Sequence, residues 1–103
     1  MAKFALKADP TFTSKVGFPV SGGEPVDVLV TFKHRTKTAL DEFLKTRDDR
    51  SDVESFMEMV VGWDLADDFN KANVEILLEN HIGVALATYK AYIDELVQSR
   101  TKN

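Results

Sequence analysis

The chain contains no cysteine. That absence removes a disulfide framework, a thiol nucleophile and a thiolate metal site together. With three prolines and five glycines in 103 residues, it holds no internal repeat, low-complexity tract or linker. No apolar run approaches the roughly 20 residues that a membrane span needs. The opening Met-Ala-Lys-Phe-Ala-Leu-Lys has charge but no apolar region after it, so no secretory signal is expected. What is present is ordinary for a folded protein: 44% hydrophobic and 29% charged residues, which excludes wholesale disorder. The length suits one domain over residues 1–103, soluble and cytoplasmic, with a single modest core.

The net charge of −4 is unevenly spread. Residues 1–50 carry nine Lys/Arg against seven Asp/Glu, or +2; residues 51–103 carry four against ten, or −6. Nucleic-acid affinity needs a concentrated basic face to neutralise phosphates. The one basic cluster, Lys33, His34, Arg35 and Lys37, has no interleaved aromatic and fits a solvated strand end leading into a helix. No nucleic-acid partner is expected, and no membrane.

The first third alternates with a period of two. Phe12, Ser14, Val16, Phe18 and Val20 share one parity, as do Val26, Val28, Val30, Phe32 and His34, the pattern of half-buried strands. Ser21-Gly22-Gly23-Glu24-Pro25 between them is a turn, so residues 10–34 form an antiparallel hairpin. Pro19 lacks an amide donor and belongs at an edge or strand end. A lone hairpin is marginal in water, so the segment that follows must pack on it.

From Thr36 the period becomes helical, and residues 37–100 are expected to form about four helices. Ala39, Leu40, Phe43 and Leu44 make the first apolar stripe, capped by Thr36 or Thr38, with Asp41 and Glu42 near the positive dipole end. Arg47-Asp48-Asp49-Arg50 is a loop. Ser51-Asp52-Val53-Glu54 is a capping box opening a second helix through Val53, Phe56, Met57, Val60 and Val61, with Gly62 placed to end it. Trp63 to Asn73 gives one or two short helical turns, and Asn73 caps a helix through Val74, Ile76, Leu77 and Leu78. His81-Ile82-Gly83 is a terminus or a kink. Ala85, Leu86, Tyr89, Tyr92, Ile93, Leu96 and Val97 form the clearest helical stripe, and Ser99 to Asn103 is a polar, frayed end. The fold class is α+β, a hairpin followed by a mostly helical bundle.

No constellation for catalysis stands out. His34 and His81 lie apart, no Gly-x-Ser-x-Gly elbow exists, and Gly22-Gly23 belongs to a hairpin turn rather than a phosphate loop. Asp64, Asp67, Asp68, Asn70, Asn73 and Glu75 fail the calcium-loop register, since Ala66 and Phe69 fall where a ligand and a glycine are required. No enzyme activity, cofactor or metal is expected. Trp63, the single tryptophan, is either an anchor of an inter-helix corner or a partner-facing contact. With Leu65 and Phe69 it is the candidate partner-binding patch. Tyr89 and Tyr92 fit a helix's buried face, and the hairpin's edges offer unpaired amides and carbonyls to another strand.

Taken together, the chain resembles the small tail assembly chaperones of long-tailed bacteriophages. The resemblance lies in the N-terminal Met-Ala-Lys-Phe-Ala-Leu-Lys-Ala-Asp-Pro-Thr-Phe and in Phe32-Lys33-His34-Arg35-Thr36. It continues in Val61-Gly62-Trp63-Asp64-Leu65 with Asp68-Phe69, and in the tyrosine-bearing last helix. It implies a non-enzymatic protein of the infected or lysogenic host's cytoplasm, absent from the mature virion. Such a protein coats the tape-measure protein, keeps it soluble, recruits major tail protein and is expected to form a homo-oligomer. It also implies a frameshifted longer product of the same gene, because Thr101-Lys102-Asn103 is encodable as ACA-AAA-AAC, which contains a slippery heptamer. The rival reading is a structural tail or head-tail connector component, which would need more β-structure than one hairpin.

Overall fold

The computed structural model describes residues 2–98, and the polar stretch 99–103, with the residues behind the slip-site reading, lies outside them. Strands β1 (Thr11–Phe18) and β2 (Val26–Lys33) pair antiparallel, Thr11 facing Lys33 and Phe18 facing Val26. Their parity decides the core: Val16, Phe18, Val28, Val30 and Phe32 are buried, while Thr13, Lys15, Asp27 and Leu29 face solvent. The connection is longer than the expected turn, because Pro19 and Val20 leave the ladder. Gly22 takes φ 75°, the left-handed conformation that only glycine adopts freely.

Helix α1 (Lys37–Lys45) is capped by the Thr36 hydroxyl, which accepts from the Ala39 amide at 3.2 Å. Leu40 and Phe43 face the core, while Ala39 and Leu44 stay exposed and no acidic residue stands in the first turn. Residues Arg47–Asp49 form a single 3-10 turn. Helix α2 (Asp52–Met59) opens on the expected capping box: Ser51 Oγ accepts from the Glu54 amide, and Glu54 Oε1 accepts from the Ser51 amide at 2.8 Å. Those bonds hold the Glu54 carboxyl below its usual pKa, the Ser51 amide contributing most.

The largest departure from the sequence reading follows. The second helix ends at Met59, and Val60–Trp63 becomes a strand, β3, antiparallel to β2. The sheet order is β1-β2-β3, with a bulge where Thr31 faces Gly62 and Phe32 faces Val60. Gly62 therefore sits within a strand and ends no helix. Two adjacent β-branched valines favour extended backbone, and the open edge of β2 supplies the ladder.

Residues 64–70 contain no helical turn. Helix α3 (Lys71–Asn80) is capped by Asn70, whose side chain accepts from the Asn73 amide at 2.8 Å, so Asn73 lies inside the helix. The chain breaks at His81–Gly83 and continues as α4 (Val84–Val97). Pro19 of the hairpin connection sits on this break, 3.1 Å from where a Gly83 Cβ would stand. Along α4 the buried line is Val84, Thr88 and Tyr92, flanked by half-buried Tyr89, Ile93 and Leu96; Leu86 and Val97 point to solvent.

At the open end of the hairpin, Phe12, Phe32 and Tyr92 stack with centroids 5.2–6.1 Å apart, and Phe43 meets Tyr92 edge-on. Arg35 lies in this cluster and not on the solvated strand end expected for it. Its guanidinium is 4.2 Å from the Phe43 centroid, donates to the Tyr92 hydroxyl at 3.1 Å and pairs with Glu58 at 2.8 Å. Arg50, also expected in a loop, folds over Phe43 and donates to the Phe43 carbonyl at 2.8 Å. Burial pushes the Tyr92 phenol above its usual pKa, and its hydroxyl donates to the Lys33 carbonyl at 2.7 Å.

Candidate partner-binding groove

Trp63 is positioned by the sheet. It pairs with Val30, which aims its ring to the helical side, edge-on to Phe56 at 6.4 Å. The strand end is locked by Asp64, whose amide donates to the Leu29 carbonyl and whose carboxylate accepts from the Leu29 amide at 3.0 Å. Farther along, the Trp63 indole N–H donates to the Asp67 carbonyl, and the Asn73 amide group donates to the Asp68 carbonyl, each at 2.7 Å. Four separate bonds thus hold residues 64–68 in place. Because its N–H is satisfied internally, the indole offers a nearly apolar surface to a partner.

Trp63 and Leu65 form one wall of an open groove of about 510 Å³. The opposite wall is α3, through Asn73, Ile76, Leu77 and Asn80, with His81 closing the end. Those four helical positions follow i, i+3, i+4, i+7 spacing, one face of the helix. Ile76 remains 60% exposed, a large apolar side chain with its surface turned outward. A second hollow of about 270 Å³ shares Leu65, Asp67, Leu77 and His81 and runs on to Pro19, Val20 and Val26 of the hairpin connection. The two hollows adjoin at these four residues, and the first mixes apolar Trp63, Leu65, Ile76 and Leu77 with polar Asp67, Asn73, Asn80 and His81.

Of the three residues the sequence singles out, Trp63 and Leu65 share the groove wall. Phe69 stands behind them, its ring 5.1 Å from Trp63 and perpendicular to it, and all three pack on the core. The sequence reading missed Ile76 and His81 as groove residues. It grouped Ile76 with Val74, Leu77 and Leu78 along one helix, and nothing in the sequence marks Ile76 or His81 as lining a hollow. Among the described residues no cluster of three His, Asp or Glu side chains is arranged to hold a metal ion, and no helix is long and apolar enough to cross a membrane. The acidic stretch serves structure: Asp64 extends a strand ladder and Asn70 caps a helix.

The fold is α+β, with a three-stranded antiparallel sheet and an open hollow between Trp63 and α3. A family model for phage tail assembly chaperones matches residues 1–103, so the chain belongs to that family. Comparison with curated proteins and with solved structures gives no match.

Proposed function

We propose that the chain acts without catalysis, holding an amphipathic helical stretch of the tape-measure protein in the groove walled by Trp63, Leu65 and α3. The observation carrying this reading is the exposed apolar face of Ile76 opposite an indole whose polar edge is already bonded. Such a wall accepts apolar side chains at helical spacing, the helix-in-groove mode of recognition. A tape-measure chain is long, helical and striped with apolar residues, and aggregates until enclosed. Many chaperone copies along one polymer gain strength by multivalency. Coating then keeps the tape measure soluble in the host cytoplasm while major tail protein is recruited around it. Phe69 supports this surface from behind by fixing the Trp63 ring.

Co-expression with the tape-measure protein tests the reading. The tape measure is expected to become soluble and to co-purify with many copies of this chain; Leu65→Ser with Ile76→Ser is expected to abolish co-purification while far-ultraviolet dichroism stays unchanged. A tape measure that remains insoluble and alone rejects it. The rival structural role draws on the two sheet edges, β1 and β3, and predicts stoichiometric amounts of this chain in purified virions by mass spectrometry. Sequencing the codons of Thr101-Lys102-Asn103 and finding no slip-prone heptamer would remove this version of the frameshift reading.

A further inference from the structure

The polar lining of the groove is Asp67, Asn73, Asn80 and His81, and among the described residues no lysine or arginine lines it or the adjoining hollow. Its nitrogen donors are already engaged. The Trp63 indole N–H donates to the Asp67 carbonyl and the Asn73 amide group to the Asp68 carbonyl, each at 2.7 Å. The Asn80 amide group donates to the Ile76 carbonyl at 2.8 Å. A backbone carbonyl only accepts, so each asparagine is anchored through its nitrogen and its oxygen is the end left over. Among the described residues nothing donates to either oxygen, and the Asp67 carboxylate has neither a hydrogen bond nor an ion pair. Beyond the second hydrogen of each amide and the His81 ring, the groove offers a partner acceptors, one of them charged.

We propose that Asp67 is a specificity-determining residue: the helix seated in the groove carries a lysine or arginine beside its apolar anchors, and Asp67 receives it. The inference deepens the functional reading above and rests on it. Asp67 lines both hollows, together with Leu65 and Leu77, and the indole bond to its carbonyl fixes where its side chain starts. A helix laid over this point takes water away from the carboxylate. An apolar residue there leaves the charge unpaired and an acidic one opposes it, and both weaken binding. A lysine or arginine pairs the charge, donates to the asparagine oxygens and lays its methylenes on the leucines. The same cation stands beside the Trp63 ring, whose N–H lies 2.7 Å from the Asp67 carbonyl and whose face attracts positive charge. Asp68 is exposed but lines neither hollow, so the position of the carboxylate sets the preference and not the acidity of the segment.

The probes are amphipathic peptides of about 18 residues, roughly five helical turns, without tryptophan. They share one apolar face and differ at a single flanking position, which is Lys, Gln or Glu. Trp63 is the single tryptophan and stands in the groove wall, so its emission reports their binding to the full chain. At low salt the lysine peptide is expected to bind at least about tenfold more tightly than the glutamate peptide, with glutamine between. Added salt is expected to narrow that span by screening the pair. Asp67→Asn is expected to bring all three within about twofold of one another, while Asp68→Asn leaves most of the span. Asp67→Asn keeps the carbonyl that the indole uses, so far-ultraviolet dichroism is expected to stay unchanged. Equal affinities for the three peptides overturn the proposal, as does a span that Asp68→Asn erases as fully as Asp67→Asn. Emission that no peptide alters overturns it too. Selection of lysine by Asp67 with a tape measure that is not retained in co-expression strikes the identity of the partner alone. Retention of the tape measure with equal peptide affinities strikes this inference alone.

Discussion

The two ends of the sheet use similar residues to opposite effect. At the end where β2 leads into α1, Phe12, Phe32, Phe43 and Tyr92 are closed over by Arg35 and Arg50, and the polar atoms find partners inside the chain. Around Trp63, the aromatic rings are half-buried and the hydrogen bonds only fix the loop, leaving Leu65 and Ile76 facing an open channel. The first end is finished as a core. The second is held in place by hydrogen bonds without being filled.

Substitutions separate the two ends. The largest effect is expected from Phe32→Ala, about 3–5 kcal/mol of lost stability in urea unfolding, because the ring is wholly buried against Phe12 and Tyr92. Ile76→Ser should change stability by no more than about 0.5 kcal/mol while abolishing tape-measure retention. A loss comparable to Phe32→Ala would make the groove a second core.

Next in size, Arg35→Met removes charge-assisted bonds to Glu58 and Tyr92 and should cost about 2 kcal/mol. Arg35→Lys should rescue little, since one ammonium cannot reproduce the fork. Tyr92→Phe loses the bond to Lys33 and should cost about 1 kcal/mol. Because the folded phenol has the higher pKa, its contribution is present below pH 10.0 and lost as pH rises beyond it.

Ser51→Ala should cost about 1 kcal/mol by undoing the capping box. Its partner Glu54 has the lower pKa when folded, so its contribution is present above 4.5 and lost as pH falls through the folded value. Thermal unfolding should show the wild-type advantage over Glu54→Gln at neutral pH and its closure in acid. The smallest effect is expected at Thr88, whose buried hydroxyl has no hydrogen-bond partner. Thr88→Val keeps the shape and removes that orphan, so the melting temperature should hold or rise.

Much of the fold was legible because its determinants are local. Parity along β1 and β2 names the buried face, and Ser51 with Glu54 announces α2 from four adjacent residues. β3 was hidden because Val60 and Val61 continue the spacing of Val53, Phe56 and Met57, and only pairing with β2, some 30 residues upstream, extends them. The start of α3 was misplaced because Asn70 and Asn73 are both capping residues; the Asn73 backbone amide donates to the Asn70 side chain while the Asn73 side chain donates to the Asp68 carbonyl, which leaves the cap to Asn70. Arg35 and Arg50 looked solvated since nothing local marks an arginine that will fold over Phe43. Trp63 and Leu65 line one hollow, whereas its α3 side needed the helix in place.

The bond from Tyr92 to Lys33 joins residues 59 apart, and it has a temporal meaning during synthesis. At about 5–20 residues per second, a ribosome needs about 3–12 s to reach Tyr92 of α4 after Lys33 of β2 has been made. Through that interval the apolar side of the hairpin, Val16, Val28, Val30 and Phe32, lacks the cover of α4. On a polysome, neighbouring nascent hairpins stand close together in that state, and the emergence of Tyr92 ends their exposure.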